Sequence, residues 1–404
     1  MHSGPRRAGY GKRPGLAGPR LSTRLLSHTI PHCPMSHSIP TPPLQPLPYR
    51  ADYEVPEEDE EQTNAELLAA MRRISETVAK DEGRAYRSVH AKSHGILHGT
   101  LEVLPLLPPL AQGLFARPGT HDVVMRLSST PGDLLDDSVS TPRGLALKVL
   151  GADGPRLDPA DGLAEQDFLM VNGPVFTAAT AKQFLRSLKL LAATTDKAPQ
   201  AKKILSAALR GLESLVEKAG GESATLKAMG GHPATHPLGE MYFTQVPLLF
   251  GPYMAKFCLA PVSPEIAALK EAPVDLSASP QALRDAVSDA LRTHGGTWEL
   301  RVQLCVDIEK MPLEDASVEW PQDLSPYVAL ARIHVPAQAT WDPEHSPRED
   351  DRLSFSPWRG LAAHRPLGSI MRVRRAAYPA AARYRQAFNA GEIRGDEEGK
   401  SAAK

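Results

Sequence analysis

Short runs of apolar residues with an alternating period occur along most of the chain, and this pattern is typical of β-strands whose two faces differ. The strand-like runs span 97–104, 121–128, 143–150 and 167–171, then 240–246, 253–261, 297–308 and 328–336. Turn residues separate these runs. Eight short strands in two groups of four predict an antiparallel barrel or sandwich.

Helical periodicity flanks and separates the two groups of strands. Thr63 and Glu66 have the spacing of a capping box, which predicts that a helix begins there. Apolar residues then recur on one face of that helix, at Leu67, Leu68, Met71, Ile74 and Val78. The other helical stretches span 180–193, 197–218 and about 367–390. The order therefore predicts an α+β fold, with a helical insert between two sets of strands and helices at the C-terminal end.

The first 62 residues lack this periodicity. Ten prolines precede Asp52, and an acidic run at 57–61 follows it. Such a segment buries too little apolar surface to offset the entropy of ordering. The first 51 residues are basic and contain no acidic residue, which also fits an organelle transit peptide. The alternative is that translation begins at Met35, so that the residues before it are not native. We therefore expect a disordered tail or targeting extension at 1–62, one folded domain at 63–390 and a polar tail at 391–404.

Composition narrows the class of protein. The chain has 404 residues, and a hydrophobic fraction of 42% is enough for a sizeable core. Lys and Arg number 46 against 47 Asp and Glu, so a globally basic nucleic-acid binder is excluded. The three cysteines lie far apart, which favours a reduced, cytoplasmic protein, although the basic start leaves targeting open. No stretch of about 18 apolar residues predicts a membrane span.

Three histidines stand four residues apart, at His90, His94 and His98. On a helix this spacing would place them on one face, as in some zinc sites. Gly95 and Gly99 interrupt the segment, however, and its later part has a strand pattern. We therefore do not predict a metal triad.

Several arginines lie where they could bind an anionic ligand, and one of them is close to a histidine that could accept a proton. Arg87 and His90 lie just before the first strand, and Arg126 lies inside an apolar strand run. A surface position is the plain alternative for each, but an Arg that faces the interior needs an anionic partner. Near the C-terminal end, Arg374 and Tyr378 are four apart, so they are neighbours on a helix, where the cation favours the phenolate. A helix-surface pair is the alternative there.

Five short motifs follow one another in a fixed order. They are Arg-x-Val-His-Ala-Lys, Val-x-Arg-x-Ser, Pro-Arg-Gly-x-Ala-x-Lys, Asn-x-Pro-x-Phe and Arg-x-x-x-Tyr-Pro. In this order they resemble the heme catalase superfamily, and most of all its short, catalase-related members without the extra C-terminal domain. The resemblance implies a catalase-like eight-stranded antiparallel β-barrel with a helical insert and C-terminal helices. It covers residues 84–187 well and 238–390 more loosely.

The resemblance also implies roles for individual residues. His90 matches the distal histidine and Ser128 the serine that hydrogen-bonds it, and Asn172, which matches the second of two consecutive Asn, is the candidate for the distal amide that assists peroxide cleavage. Tyr378 matches the tyrosinate that ligates the heme iron, as in catalases. The remaining residues implied to bind the cofactor, heme b, are Arg87, Val89, Arg126, Phe176, Phe184, Arg374 and Arg385.

Three positions depart from the catalase pattern. A gapless match places Val171 at the distal amide, so Asn172 serves only if the turn shifts register. Thr141 stands where catalases carry the acidic residue of the main peroxide channel. Alanines follow Pro379 where catalases have Asp-Thr. The first two departures weaken disproportionation of hydrogen peroxide and leave peroxidase chemistry more open.

The resulting hypothesis is a heme-dependent peroxidase or catalase-related oxidoreductase that acts on hydrogen or organic peroxides. Its partners would be a peroxide and a small organic reductant, with no nucleic acid, and a homo-oligomer stays open. Rearrangement of a lipid hydroperoxide is a variant, against which Val89 counts because those enzymes carry Thr beside the distal histidine. The alternatives are a non-enzymatic heme-binding or sensing protein and a scaffold without heme.

Overall fold

The structure, a computed structural model, describes residues 45–130, 132–194 and 233–393. Its strands are β1 (Lys92–Val103), β2 (Gly119–Ser129), β3 (Arg143–Leu150), β4 (Glu165–Val171), β5 (Tyr242–Phe243), β6 (Leu248–Phe250), β7 (Tyr253–Pro261), β8 (Gly296–Leu304) and β9 (Val328–Val335). They pair antiparallel in the order β5-β4-β3-β2-β1-β9-β8-β7-β6, and an additional β5–β7 pairing closes eight of them into a barrel. The predicted eight-stranded antiparallel barrel is therefore confirmed.

The helices surround this barrel. They are α1 (Glu60–Glu82), α2 (Ala181–Thr194), α3 (Pro264–Ala267), α4 (Ala282–Thr293), α5 (Ser346–Arg352) and α6 (Ser369–Asn389). Helix α2 covers the first half of the predicted insert, and the predicted stretch 197–218 lies outside the described residues. Helix α6 runs without a break through Pro379, at the C-terminal end of the domain.

Helix α1 begins earlier than the capping box predicted. The Thr63 N–H donates to the carbonyl of Asp59 at 2.9 Å, which is an ordinary helical bond inside the first turn. Glu60 and Glu61 occupy that turn, where negative side chains favour the positive end of the helix dipole. The acidic run that we assigned to the tail therefore opens the helix.

Strand β5 is much shorter than the predicted run 240–246. Gln245 has φ of 63°, a left-handed conformation that cannot continue a strand. Residues 248–250 form the additional strand β6 against β7 instead. By contrast, β3 and β7 have the predicted bounds.

The barrel interior is apolar and aromatic. Phe115, Phe168, Phe250 and Phe257 surround the buried ring of His364, with ring centroids of Phe168 and Phe257 5.0 Å apart. Most of the other buried apolar side chains belong to the same cluster. This packing fixes the strand wall on which the polar residues described below depend.

Strands β2, β3 and β4 sort their side chains between two faces. The ladder pairs Arg126 with Ala146, and Ala146 with Leu169. Because side chains alternate along a strand, these three lie on one face and intervening residues such as Leu127 on the other. Leu127 belongs to the apolar core. The face that carries Arg126 is therefore the one available for a polar site.

The predicted boundary at residue 62 requires correction. Residues 45–61 pack against the domain, because the Leu47 N–H donates to the Cys305 carbonyl at 2.8 Å and Glu54 pairs with Arg365 at 2.9 Å. Glu54 also contacts Arg372 on helix α6 at 3.2 Å. Residues 45–61 thus belong to the folded domain, and both ion pairs and the apolar packing of Leu47, Tyr49 and Tyr53 hold them there. Residues 1–44 lie outside the described part.

Candidate active site

A cavity lies between the strand face that carries Arg126 and helix α6. About 840 Å³ of space, part of it open to solvent, is free of protein atoms there. Its polar lining comprises Arg87, Ser88, His90, Arg126, Ser128, Thr244, Gln245, Ser354, Arg374, Tyr378 and Arg385. Eight of the eleven residues singled out from the sequence line it, including Val89.

His90 reaches the cavity from the segment just before β1. Its backbone is left-handed, with φ of 55°. The ring stands beside Gly144, where an added Cβ would lie only 2.5 Å from Nδ1, so the strand wall needs glycine there. Burial lowers the pKa of His90 to about 3, and the nearby cations of Arg126, Arg374 and Arg87 contribute. His90 is therefore neutral at physiological pH.

Ser128 is the hydroxyl that lies beside this ring. Its hydroxyl lies 3.4 Å from His90 Nδ1 and donates to the Gly144 carbonyl at 3.4 Å. A hydroxyl that donates to a carbonyl accepts from an Nδ1–H. The unprotonated nitrogen is then Nε2, and it can act as a proton acceptor.

Arginines dominate the electrostatics of the cavity. Arg126 binds Asp350 through Nε at 2.6 Å, and Arg87 binds the same carboxylate at 3.0 Å. Burial alone would raise the pKa of Asp350, but Arg126 and Arg87 hold it well below its usual range. Burial and Arg126 lower the pKa of Arg87 to about 9. Arg385 donates to the Leu353 carbonyl at 3.1 Å.

Helix α6 forms the helix wall of the cavity and contributes a phenol. Tyr378 and Arg374 lie one turn apart on α6, and both line the cavity. Arg374 lies over the Phe176 ring, 5.6 Å from its centroid, and near the sulfur of Met371 at 3.7 Å. No carboxylate of the described residues pairs with Arg374 in an ion pair, so its charge stays available to the cavity.

These residues fit heme b. Four arginines line the cavity, and the Nε of Arg385 is buried without a hydrogen-bond partner. Heme b carries two propionates, and arginine is the side chain best suited to pair with carboxylates. Tyr378 supplies a phenol oxygen of the kind that ligates catalase iron. Over the described ranges, no cluster of three His, Cys, Asp or Glu side chains forms a separate metal site.

The expectation for Asn172 requires correction. Strand alternation turns Val171 toward the cavity and Asn172 toward the opposite face. There its Oδ1 accepts from the Arg143 N–H at 2.8 Å, and its Nδ2 donates to Glu240 at 2.7 Å. The turn does not shift register, because Val171 still pairs with Gly144 in the ladder.

Phe176 and Phe184 also do not line the cavity. Their rings pack edge-to-face with centroids 5.1 Å apart, beside the apolar core. Phe176 stands behind Arg374 instead of facing the cavity itself. An aromatic residue that does line the cavity, Phe355, follows helix α5 and was not singled out from the sequence.

Sequence reasoning also missed Asp350 and Gln245. Asp350 belongs to a run of three acidic residues on α5, and the need to neutralise several buried arginines could have pointed to it. Gln245 lines the cavity and donates through Nε2 to the carbonyls of Gly173 and Val175, at 3.1 and 2.5 Å. No sequence signal marks its left-handed conformation.

A second, small pocket lies by the end of β3. Thr141 lines it together with Asp136 and Asp137. Asp137 forms a buried ion pair with Lys92 at 2.6 Å. Two carboxylates therefore lie beside Thr141.

Comparison with known proteins shows similarity in structure alone. No family model and no curated protein matches the sequence. Among solved structures, a fungal catalase aligns with TM-score 0.55 and 16% identity, over 86% of this chain and 66% of its own. A bacterial catalase aligns with a TM-score of 0.52 and 15% identity, over 85% of this chain and 64% of its own. Catalase A from Saccharomyces cerevisiae aligns with a TM-score of 0.52 and 18% identity, over 84% of this chain and 67% of its own.

The chain thus has a catalase-like fold and spans about two thirds of the length of the catalases that it matches. Identities of 15–18% support the fold and not a particular activity. Among the described residues, no helix combines the length and apolarity that crossing a bilayer requires.

Proposed function

We propose that this protein is a heme-dependent peroxidase related to catalases, which acts on hydrogen or organic peroxides. The observation that carries the proposal is the arrangement of one cavity. His90 and Ser128 lie on its strand wall, and Tyr378 and Arg374 lie on its helix wall. An imidazole and a phenol are thus held on different walls.

Tyr378 would hold the heme iron, and Arg87, Arg126 and Arg385 would hold the propionates. When bound, the heme supplies the redox chemistry of peroxide cleavage. Arg374 places positive charge beside the phenol. These roles agree with the cavity lining and with the orphaned Nε of Arg385.

His90 performs the proton transfers. Its neutral Nε2 takes a proton from one peroxide oxygen and returns it to the leaving oxygen, as base and then as acid. Ser128 keeps the proton on Nδ1 throughout. Val89 and Val171 give this part of the cavity an apolar lining. Because its pKa is about 3, His90 stays unprotonated down to mildly acidic pH.

Oxidation of an organic donor should compete with oxygen release. Disproportionation benefits from a distal amide, and the structure turns Val171 rather than Asn172 into the cavity. One lost donor of this kind costs on the order of 100-fold in rate. The same observation favours a second candidate, a heme-binding or sensing protein without turnover.

Spectra and rates test the proposal together. We expect the heme-reconstituted protein to show a high-spin ferric spectrum, and Tyr378→Phe to change it. Tyr384→Phe is the matched control, since Tyr384 lies on the same helix and does not line the cavity. An unchanged spectrum in Tyr378→Phe would contradict the ligand assignment.

Turnover separates the two candidate functions. We expect the wild-type protein to oxidise a dye with peroxide, and His90→Ala to abolish both dye oxidation and oxygen evolution. His98→Ala is the control, because His98 is exposed and pairs with Glu349 at 2.9 Å. Stoichiometric heme without turnover would support the sensor, and no heme binding would refute both.

A further inference from the structure

The backbone of His90 needs support from its surroundings. Its φ of 55° is left-handed, which is unfavourable for a residue with a side chain. The ring itself has one long contact, 3.4 Å to Ser128. The direction of the ring therefore depends on whatever holds the chain at residues 90 and 91.

Arg126 holds this part of the chain. Its Nη1 donates to the His90 carbonyl at 3.0 Å, and its Nη2 donates to the Ala91 carbonyl at 3.1 Å. Arg126 is buried, so these bonds are shielded from water. Arg126, which the proposed function assigns to a heme propionate, thus already donates hydrogen bonds to the carbonyls of His90 and Ala91.

Asp350 orients the guanidinium of Arg126 toward these carbonyls. Its two carboxylate oxygens accept from Nε and Nη2 of Arg126 at 2.6 and 3.2 Å. This fork-to-fork geometry fixes the plane of the guanidinium. The same carboxylate pairs with Arg87, three residues before His90, at 3.0 Å. Arg87 also donates to the carbonyls of Asp350 and Leu353, at 2.9 and 2.8 Å.

We propose that Asp350 is a positioning residue for His90, which acts through Arg126 and Arg87 on both sides of the histidine. Helix α5 then serves as the fixed support from which the ring is aimed into the cavity. Its effect on turnover rests on the proposed function, whereas its effect on the backbone does not.

Hydrogen exchange of the purified protein tests the backbone part. The variant is Asp350→Asn, which keeps the shape and removes the charge. We expect the amides of residues 88–93 to exchange about ten-fold faster, because their anchor opens locally. Glu349→Gln is the matched control, a carboxylate on the same helix that contacts the exposed His98. We expect it to leave exchange at 88–93 unchanged.

A second variant keeps the proposal testable if Asp350→Asn does not fold. It also separates the effect of the carboxylate's position from the effect of its charge. Asp350→Glu keeps the charge but moves the carboxylate by one methylene. We expect it to speed exchange at 88–93 as well, because the aim of Arg126 shifts. Wild-type exchange in Asp350→Glu would overturn the proposal, since Asp350 would then only neutralise the arginines. Equal exchange in Asp350→Asn and wild type would overturn it too.

Kinetics of the heme-loaded protein test the consequence. For Asp350→Asn we expect kcat to fall about 100-fold with KM little changed, the loss that a misplacement of about 1 Å produces. Heme stoichiometry should stay the same, which a propionate-binding role would not predict. If 88–93 loosens while even the wild-type protein lacks peroxide turnover, the proposed function fails and the positioning role stands. An unchanged kcat would overturn the proposal.

Discussion

His364 should make the protein sensitive to acid. Its ring is fully buried among Phe115, Phe168, Phe250 and Phe257, and the Leu114 N–H donates to its Nε2 at 3.0 Å. Protonation at Nε2 would break that bond and place a charge in the aromatic core. Burial accordingly lowers the pKa of His364 to about 4, against a weak opposing contact with the Leu249 carbonyl.

The size of the effect follows from proton linkage. The unfolded chain protonates this histidine below its ordinary pKa of about 6.5, whereas the folded protein resists down to about 4. The unfolded state therefore binds more protons in this window, and stability falls as the pH falls. At pH 5, His364 alone costs about 2 kcal/mol, a large share of a typical stability of about 5–15 kcal/mol.

Urea unfolding between pH 4.5 and 7 measures this term. The change is His364→Gln, which removes the titrating group but lowers stability at pH 7 because packing is lost. We expect its free energy of unfolding to vary less with pH than that of the wild-type protein, by about 1 kcal/mol per pH unit on average across this range. The exposed His345→Gln serves as the control. Identical slopes for His364→Gln and wild type would refute the reasoning.

Two further predictions concern the distal wall and the N-terminal segment. Val171→Asn places an amide on the cavity face, so oxygen evolution should rise on the order of 100-fold relative to dye oxidation. An oxygen electrode measures this, and an unchanged ratio would argue against a distal role for that position. A chain that starts at Gln62 lacks Glu54 and Glu60, two carboxylate partners of Arg372. Calorimetry should show it less stable by on the order of 2 kcal/mol than a chain that starts at residue 45, and equal melting would contradict this.

The sequence predicted what depends on local period and on motif order. The period-two runs located the strands, since a half-buried strand must alternate, and β3 agrees residue for residue. The motifs identified the residues of both walls, including His90, Ser128 and Tyr378, because each lies at the end or on a fixed face of an element. The roles of these residues remain predictions.

What the sequence did not predict depends on contacts between distant segments. Asp350 meets Arg126 across 224 positions, and no local pattern reports such a pair. Asn172 was assigned by its residue type, whereas its direction depends on the phase of β4. Gln245 interrupts β5 through a backbone angle that its neighbours impose. The N-terminal segment is held by ion pairs to distant residues, such as Glu54 with Arg372, and by the packing of Leu47, Tyr49 and Tyr53 against an apolar cluster.

The position of the cavity has a consequence for how the protein is made. One wall comes from residues near His90, and the other comes from helix α6, which ends at Asn389. At about 5–20 residues per second, a ribosome needs on the order of 15–60 s to travel from one wall to the other. A ligand that needs both walls therefore cannot bind fully until α6 has been made. Arg87 and Arg126 also lack Asp350 until residue 350 has been made, so the nascent strand wall stays positively charged for most of that interval.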